Sequence, residues 1–483
     1  MIKKLTPHAC VLGAMFSASV LTACGVTHGE SFGYVTNSPL TTVNAATETG
    51  YYERVQQLSA RVYPGIFLID SHNQRVPNTD MGTASATTDN SGDISVTYNL
   101  TATYSDGEPF TCVDFLASKV LGYQPLTSQI DKLDCTSPTT QFTMTMRPGT
   151  GSRWQELFGA GTIMPAHILA AKAGLSMDQL IDELNDETAD HGSLINLWNS
   201  LFDLNNYDPA TFVSYGPYVV TGVNAQGSGR RISLGINSHY HGEAPLESSI
   251  EVYSAGALPD SNKDIFAADS DATLSWLDRD KNSGDYALTA ESGSLIDELI
   301  FTNTTSGTFS DLSNRQALAA CIDRDAVAKA SGDAAGVKVS AVSSRLVAAD
   351  SALVGDVDTP QFQTKNLGTV RVASYGDSAR MKAMIEAMNS SCSPTGTTIE
   401  ASEDNPDVIL AAVDPATQYP EIATVDSYPY SLRAAENQLW ASLPTIPLAA
   451  QPRVFAAQRG LCNFSTNTST SGLGWNMDRW QEE

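Results

Sequence analysis

The sequence predicts a mixed α/β protein of two or three domains, carried outside a membrane. Three observations predict it: a chain of 483 residues, long enough to bury a large core; strand and helix periods that interleave along most of that length; and an N-terminus unlike everything that follows it. Hydrophobic residues make up 42% of the chain, the ordinary fraction for a soluble globular protein. No internal repeat of about 20 to 50 residues is present, so a solenoid is excluded.

The first residues run MIKKLTPHACVLGAMFSASVLTAC. Lys3 and Lys4 form a positive n-region, and residues 9–20 form an apolar stretch too short to cross a bilayer. Leu21-Thr22-Ala23-Cys24 resembles the bacterial lipobox, in which the cysteine is diacylated and becomes the first mature residue. The expectation is therefore a signal peptide over 1–23 and a lipid-anchored tether over 24–35, rich in Gly, Ser and Thr. Two acyl chains, at roughly 0.8 kcal/mol per buried methylene, hold a protein stably where one does not. The mature chain should sit on the outer face of the cytoplasmic membrane, attached through lipid alone.

Charge and cysteines narrow the partners. The chain carries 54 acidic and 28 basic residues, for a formal charge of -26, and has no basic stripe to neutralise a phosphate backbone, which argues against nucleic acid. Outside the membrane disulfides are permitted. Cys112 and Cys135 are close enough in sequence for a local bridge, and Cys321 with Cys392 is the favoured second pair, leaving Cys462 as the odd cysteine of a monomer. No CxxC and no Cys/His cluster suggests zinc or thiol redox chemistry.

From Tyr51 the chain becomes periodic. YYERVQQLSARVY has helical spacing and leads to the apolar run GIFLID. In ISVTYNL, Ile94, Val96, Tyr98 and Leu100 alternate as on a half-buried strand, as do Phe142, Met144 and Met146, and Ile232, Leu234 and Ile236. Between these strands, Ser176 and Gln179 form a capping box for SMDQLIDEL, and Ser313 with Gln316 does so for a helix running through Ala328. On that second helix Leu318, Cys321, Ile322 and Ala326 share a face, which turns the cysteine toward the core. Residues 256–295 and 330–365, rich in Ser, Gly, Ala and Asp, read as surface loops or a lobe boundary.

Motifs of catalysis are scarce. S-x-x-K, H-E-x-x-H, G-x-x-x-x-G-K-[ST] and G-x-G-x-x-G do not occur. His239-Tyr240-His241 would place two imidazoles on one side of an extended strand, but no third ligand stands nearby, so an exposed strand end is the better reading. No enzymatic activity, cofactor or metal is expected.

The stretch YSDGEPFTCVDF, residues 104–115, reads locally as a turn at Asp106-Gly107 and a helix capped by Thr111 with Asp114 at the third position. It also resembles a signature of the family 5 extracellular solute-binding proteins of ABC importers, with Tyr104 for the aromatic and Cys112 for a small residue. RVYPGIFLIDSHNQRVPN, IMPAHIL, SYGPYVV, INSHYHGEAPLESSIEV and LIFTNTTSGTFSDLSNRQALAACIDRDAVA follow in family order, with His241 where the family usually has Trp. LPTIPLAAQPRVF and GWNMDRW close the match, which covers nearly all of residues 34–483.

The resemblance implies a two-lobed periplasmic-binding-protein fold with a discontinuous first lobe and a hinge. Lobe 1 would span 36–260, with 441–483 returning to it, and lobe 2 would span 261–440. It also implies a monomer that captures an oligopeptide or peptide-like solute and delivers it to ABC permease subunits. Asn44, Tyr215, Asp414 and Gln418 would flank the cleft. Asp414, in DVILAAVDPATQYPE, would be the carboxylate that pairs with a peptide amine, although Ala411 stands where the family has Trp. An alternative is an actinobacterial envelope-assembly lipoprotein of the same fold, because RWQELFGAGTIMPAHI has some similarity to a mycobacterial lipoprotein that steers lipoglycan synthesis.

Overall fold

A computed structural model describes residues 32–482 apart from 73, 124, 152, 227–228, 255–256, 259–264, 275–276, 278–284, 350–358, 375–378 and 416–428. Its frame is one ten-stranded sheet, ordered in space Thr398–Ala401, Thr369–Ser374, Val408–Val413, Tyr286–Phe301, Thr445–Gln458, Ile265–Ser270, Phe32–Thr36, Ser249–Tyr253, Gly229–Ile236 and Tyr218–Gln226. Toward each end the sheet contains parallel pairs: Phe32–Thr36 runs parallel to both its neighbours, and Thr369–Ser374 to both of its own. Parallel neighbours require long crossovers, commonly helical, and this accounts for the interleaved helices of the sequence.

Two long strands join these ends. Tyr286–Phe301 has 16 residues and Thr445–Gln458 has 14, and they pair antiparallel along almost their whole length. Its register shifts between Asp297 and Glu298, and the ladder is interrupted in the middle, between Ser292 and Ile296. There Gly293 passes so close to its partner that a Cβ would lie 2.8 Å from the carbonyl oxygen of Gln451, a contact only glycine avoids. An interruption of this kind bends and twists a sheet locally.

On either side of that break lies a separate apolar core. The first gathers side chains from Phe32 to Val252 together with Leu473, Met477 and Trp480 of the C-terminal segment. It includes a four-stranded antiparallel sheet in which Tyr98 stacks on Phe142 at 4.9 Å. Its helix Cys112–Leu121 is tied to the loop at Cys135 by a disulfide. The second core runs from Ile296 to Ala450 and packs the helices Leu312–Cys321, Arg324–Ala335 and Ala379–Cys392 on the sheet. The Cys321–Cys392 disulfide joins the first and last of these helices.

Several expectations change. The helix expected to run from Ser313 through Ala328 is two: Asp311, not Ser313, caps the first by accepting from Ser313 N at 2.8 Å, and Asp323 caps the second by accepting from Ala326 N at 3.0 Å. An aspartate side chain competes with the backbone for these N–H groups, so Asp323 restarts the helix where periodicity alone reads through. The helical spacing after Tyr51 yields two short helices, Glu48–Glu53 and Gln56–Ser59, separated by Arg54 at φ 56°. Residues 256–295, read as loop, contain the strand Ile265–Ser270 and much of the long strand from Tyr286. Five of the six residues of Ile265–Ser270 are buried, so no alternation marks that strand out, and the long strand begins with Ala, Thr and Ser where Val and Ile would signal it. Cys462 is disulfide-bonded, which corrects the expectation that it stays unpaired.

The pentapeptide Gly29–Gly33, GESFG, has the spacing of a hydrolase nucleophile turn. That turn must lead from strand to helix, whereas Phe32 and Gly33 here begin a buried strand within the sheet.

Candidate functional site

Parallel α/β sheets place their binding crevices beyond the carboxyl ends of the strands. The cleft here follows that rule. Asp414 is the residue directly after Val408–Val413, and it lines the cleft. The other described walls come from the first core and the C-terminal segment: Ala45, Tyr51, Gln56 and Ala60; Phe67, Leu68, Ile69 and Arg75; Gln155, Glu156, Gly159, Ala160 and Thr162; and Thr470, Ser471 and Trp475. Asp414 is thus the sole contribution of the second core's strands among the described lining residues.

The hairpin Phe67–Ile69 with Arg75–Pro77 presents the apolar wall. Phe67 packs edge-on against Trp154 at 5.3 Å. The hairpin is held to the C-terminal segment by Asn467, whose Nδ2 donates to the carbonyl of Ile69 at 2.6 Å. Trp475 is fixed by a hydrogen bond from its indole N–H to Ser465 O at 3.2 Å.

Charge in the cleft is arranged around Glu156. Arg153 meets it at 2.5 Å and Arg75 at 3.3 Å, so one carboxylate is shared by two guanidiniums. Burial pushes the Glu156 carboxyl above its ordinary range, the two arginines oppose that, and the nearby negative charge of Asp414 adds to it. The cavity therefore joins the Arg75–Glu156 pair on the hairpin side, an aspartate on the other side, and an aromatic and aliphatic floor between them. Such a surface suits a solute with an apolar body and separated charges.

The residues expected to flank the cleft fall in different places. Asp414 lines it. Asn44 is buried behind the wall: its Oδ1 accepts from Ala46 N at 2.9 Å and its Nδ2 donates to Trp198 O at 3.4 Å, shaping the turn that carries Ala45 to the cavity. Tyr215 is also in the core, stacked on Phe110 at 4.3 Å, with its hydroxyl donating to Ile163 O at 3.1 Å. Burial drives its phenol well above the usual tyrosine range. Gln418 and Cys24 lie outside the described residues. Gln56, Arg75, Glu156 and Trp475 are cleft residues that sequence reasoning passed over. They come from segments separated by up to some four hundred positions, and no local pattern joins them.

YSDGEPFTCVDF is scaffold. Tyr104 and Phe110 are buried, and Asp114 accepts from Thr111 N and from Ala166 N, each at 2.8 Å, stapling the helix start to the next helix. The histidine pair is scaffold as well: Tyr240 between them hydrogen-bonds Asp80, and His239 N donates to Asn237 Oδ1 at 2.9 Å. Among the described residues no group of three His, Cys, Asp or Glu side chains is disposed to hold a metal ion, and no helix is long and apolar enough to cross a membrane.

No family model matches the chain. A lipoprotein of Mycobacterium tuberculosis described as uncharacterized is 26% identical over 542 aligned positions that cover 96% of each chain. The oligopeptide-binding protein AppA of Bacillus subtilis, solved with a nonapeptide, superposes with a TM-score of 0.66 at 13% identity, over 94% of this chain and 100% of that one. A periplasmic EDTA-binding protein superposes with a TM-score of 0.63 at 15% identity, over 96% and 99%. These likenesses span both cores and the strands between them, and the chain therefore has the two-lobed α/β fold of the family 5 extracellular solute-binding proteins.

Proposed function

We propose that this chain is the substrate-binding lipoprotein of an ABC importer, capturing an oligopeptide or similar solute outside the membrane and delivering it to permease subunits. The observation that carries this reading is the cleft itself, in which a single aspartate faces a wall of Arg75, Glu156 and aromatic side chains. Asp414 would pair with the free amine of the solute, a charge-assisted contact that fixes the register of a bound chain. Arg75 would face its acidic or carbonyl groups, and Phe67, Tyr51 and Trp475 its apolar parts. The protein binds and releases without catalysis, needs no cofactor, and acts as a monomer tethered through Cys24.

The lobes expected over 36–260 with 441–483, and over 261–440, would close about the ladder break at Gly293–Leu295. Closure brings Asp414 onto the solute and gives the permease two distinguishable states. The relationship to mycobacterial lipoproteins, together with the lipobox-like Leu21–Cys24, supports anchorage on the outer face of the cytoplasmic membrane.

Deletion of the gene tests the role in the cell. Resistance to a toxic peptide analogue, reversed by the wild-type gene but not by Asp414→Asn, is the expected result. Unchanged uptake with altered envelope lipoglycans would overturn it.

A further inference from the structure

We propose that Tyr52 is a latch between the two lobes and a positioning residue for the cleft: seated in the second core, it holds the strand Val408–Val413, and with it Asp414, closed over a bound solute. The inference deepens the solute-binding reading and rests on it. The helix Glu48–Glu53 belongs to the first core by its flanks, since Ala46 before it and Leu58 after it are buried there. Tyr52 does not follow them. Only 4% exposed, it is buried with the side chains of the second core, and its helix lies against Val408–Val413. Asp414, directly after that strand, lines the cleft, and so does Tyr51, the neighbour of Tyr52.

Successive helix positions point in different directions, so a single turn can present Tyr51 to the solute and Tyr52 to the second core. A third ring braces the pair. Tyr123 is fixed to the first core by its N–H, which donates to Ala46 O at 2.6 Å, and its hydroxyl lies 3.0 Å from that of Tyr52. Tyr51 meets the rings of Tyr52 and Tyr123 edge-on at 5.2 and 5.8 Å, a geometry aromatic pairs favour. The long strands join the two cores through continuous backbone. Tyr52 joins them through a side-chain contact alone, which can break as the lobes part. Parting returns its ring to water and loses the burial of an aromatic surface. A solute that packs on Tyr51 and pairs with Asp414 favours the same closed arrangement, so binding and latching reinforce each other.

The test uses the full chain in detergent and a defined pool of synthetic tri- to pentapeptides. Wild type is footprinted with hydroxyl radicals, with and without the pool, and oxidation is mapped by mass spectrometry. Tyr52 should be oxidised several times faster without peptide, whereas Tyr98, buried within the first core, should stay equally protected in both states. Dissociation of the best-retained peptide is then timed after dilution. Tyr52→Ala should release it about tenfold faster, and Tyr52→Phe, which keeps the ring, should stay within about threefold of wild type. Equal protection of Tyr52 in the two states means that its ring never leaves the second core, and it overturns the proposal whether or not Tyr52→Ala folds. Unchanged release from a folded Tyr52→Ala overturns it as well, and in either case the solute-binding reading stands. A wild-type protein that retains no peptide brings down the solute-binding reading itself, and the latch with it.

Discussion

At the junction of the two cores, Arg380 of the helix Ala379–Cys392 reaches Asp271 at 2.7 Å and Asp297 at 2.5 Å, with all three side chains almost wholly buried. In the cleft, Arg75 and Arg153 share Glu156 while Asp414 stands half-buried opposite. Both clusters combine guanidiniums and carboxylates, yet they are satisfied in different ways. At the junction, burial opposes the charge on Arg380, but Asp271 and Asp297 outweigh it and raise the guanidinium further above its ordinary range. Asp271 mirrors this: burial resists its ionisation, and Arg380 and Arg54 overcome that and hold the carboxyl low. In the cleft the balance tips the other way, with Glu156 held high despite two arginines. The junction is complete without a ligand. The cleft keeps a carboxyl above its ordinary range, a perturbation of the kind that clusters at functional sites.

The largest effect should come from breaking the junction. Arg380→Met leaves Asp271 and Asp297 buried without their cation, and losing one partner of a buried pair costs about 3–5 kcal/mol. Urea denaturation should show a correspondingly lower midpoint, with the two cores unfolding at separate midpoints if the junction is what couples them. An unchanged midpoint would mean that the junction contributes little.

A smaller effect distinguishes the clusters by pH. Because the folded-state pKa of Asp271 lies below its unfolded value of roughly 3.9, its contribution is present above that pH and is lost as pH falls through the folded value. Glu156 has the opposite sign: its folded value is raised, so it adds stability below about pH 4 and loses it as pH rises through the folded value. Asp271→Asn should therefore flatten the acid limb of the stability curve, and Glu156→Gln should remove the share of stability that wild type loses as pH rises from acid to neutral. Thermal melts from pH 3 to 8 read both slopes. The smallest effect on stability belongs to Asp414→Asn, which keeps the side chain's volume and should leave the unfolding free energy within about 0.5 kcal/mol of wild type. A larger fall would make Asp414 part of the scaffold.

Legibility in the sequence followed the same division. Strands with one solvated face announced themselves: Val96, Tyr98, Phe142 and Met144 alternate, and their side chains are buried where expected. The long strand YALTAESGSLIDELIF did not, because its first half carries Ala, Ser and Thr where the eye seeks Val and Ile, and its second half buries Asp297 and Glu298. Those carboxylates are tolerable only because Arg380 and Thr445 arrive from 83 and 147 residues away. No local pattern carries such information. In the cleft, Asp414 was legible through the family resemblance, whereas Arg75 and Glu156 lie 81 residues apart and no local pattern pairs them.

The central claim is that the cleft holds a peptide-like solute through Asp414. Its most direct test is to purify the full chain from membranes in detergent, denature it, and identify by mass spectrometry what is released, with Asp414→Asn carried through in parallel. The account predicts peptides or related amines released from wild type and at least about tenfold less from the variant, the loss expected for a charged hydrogen bond. A wild-type protein that releases nothing, or a variant that releases the same solutes in the same amount, would contradict it.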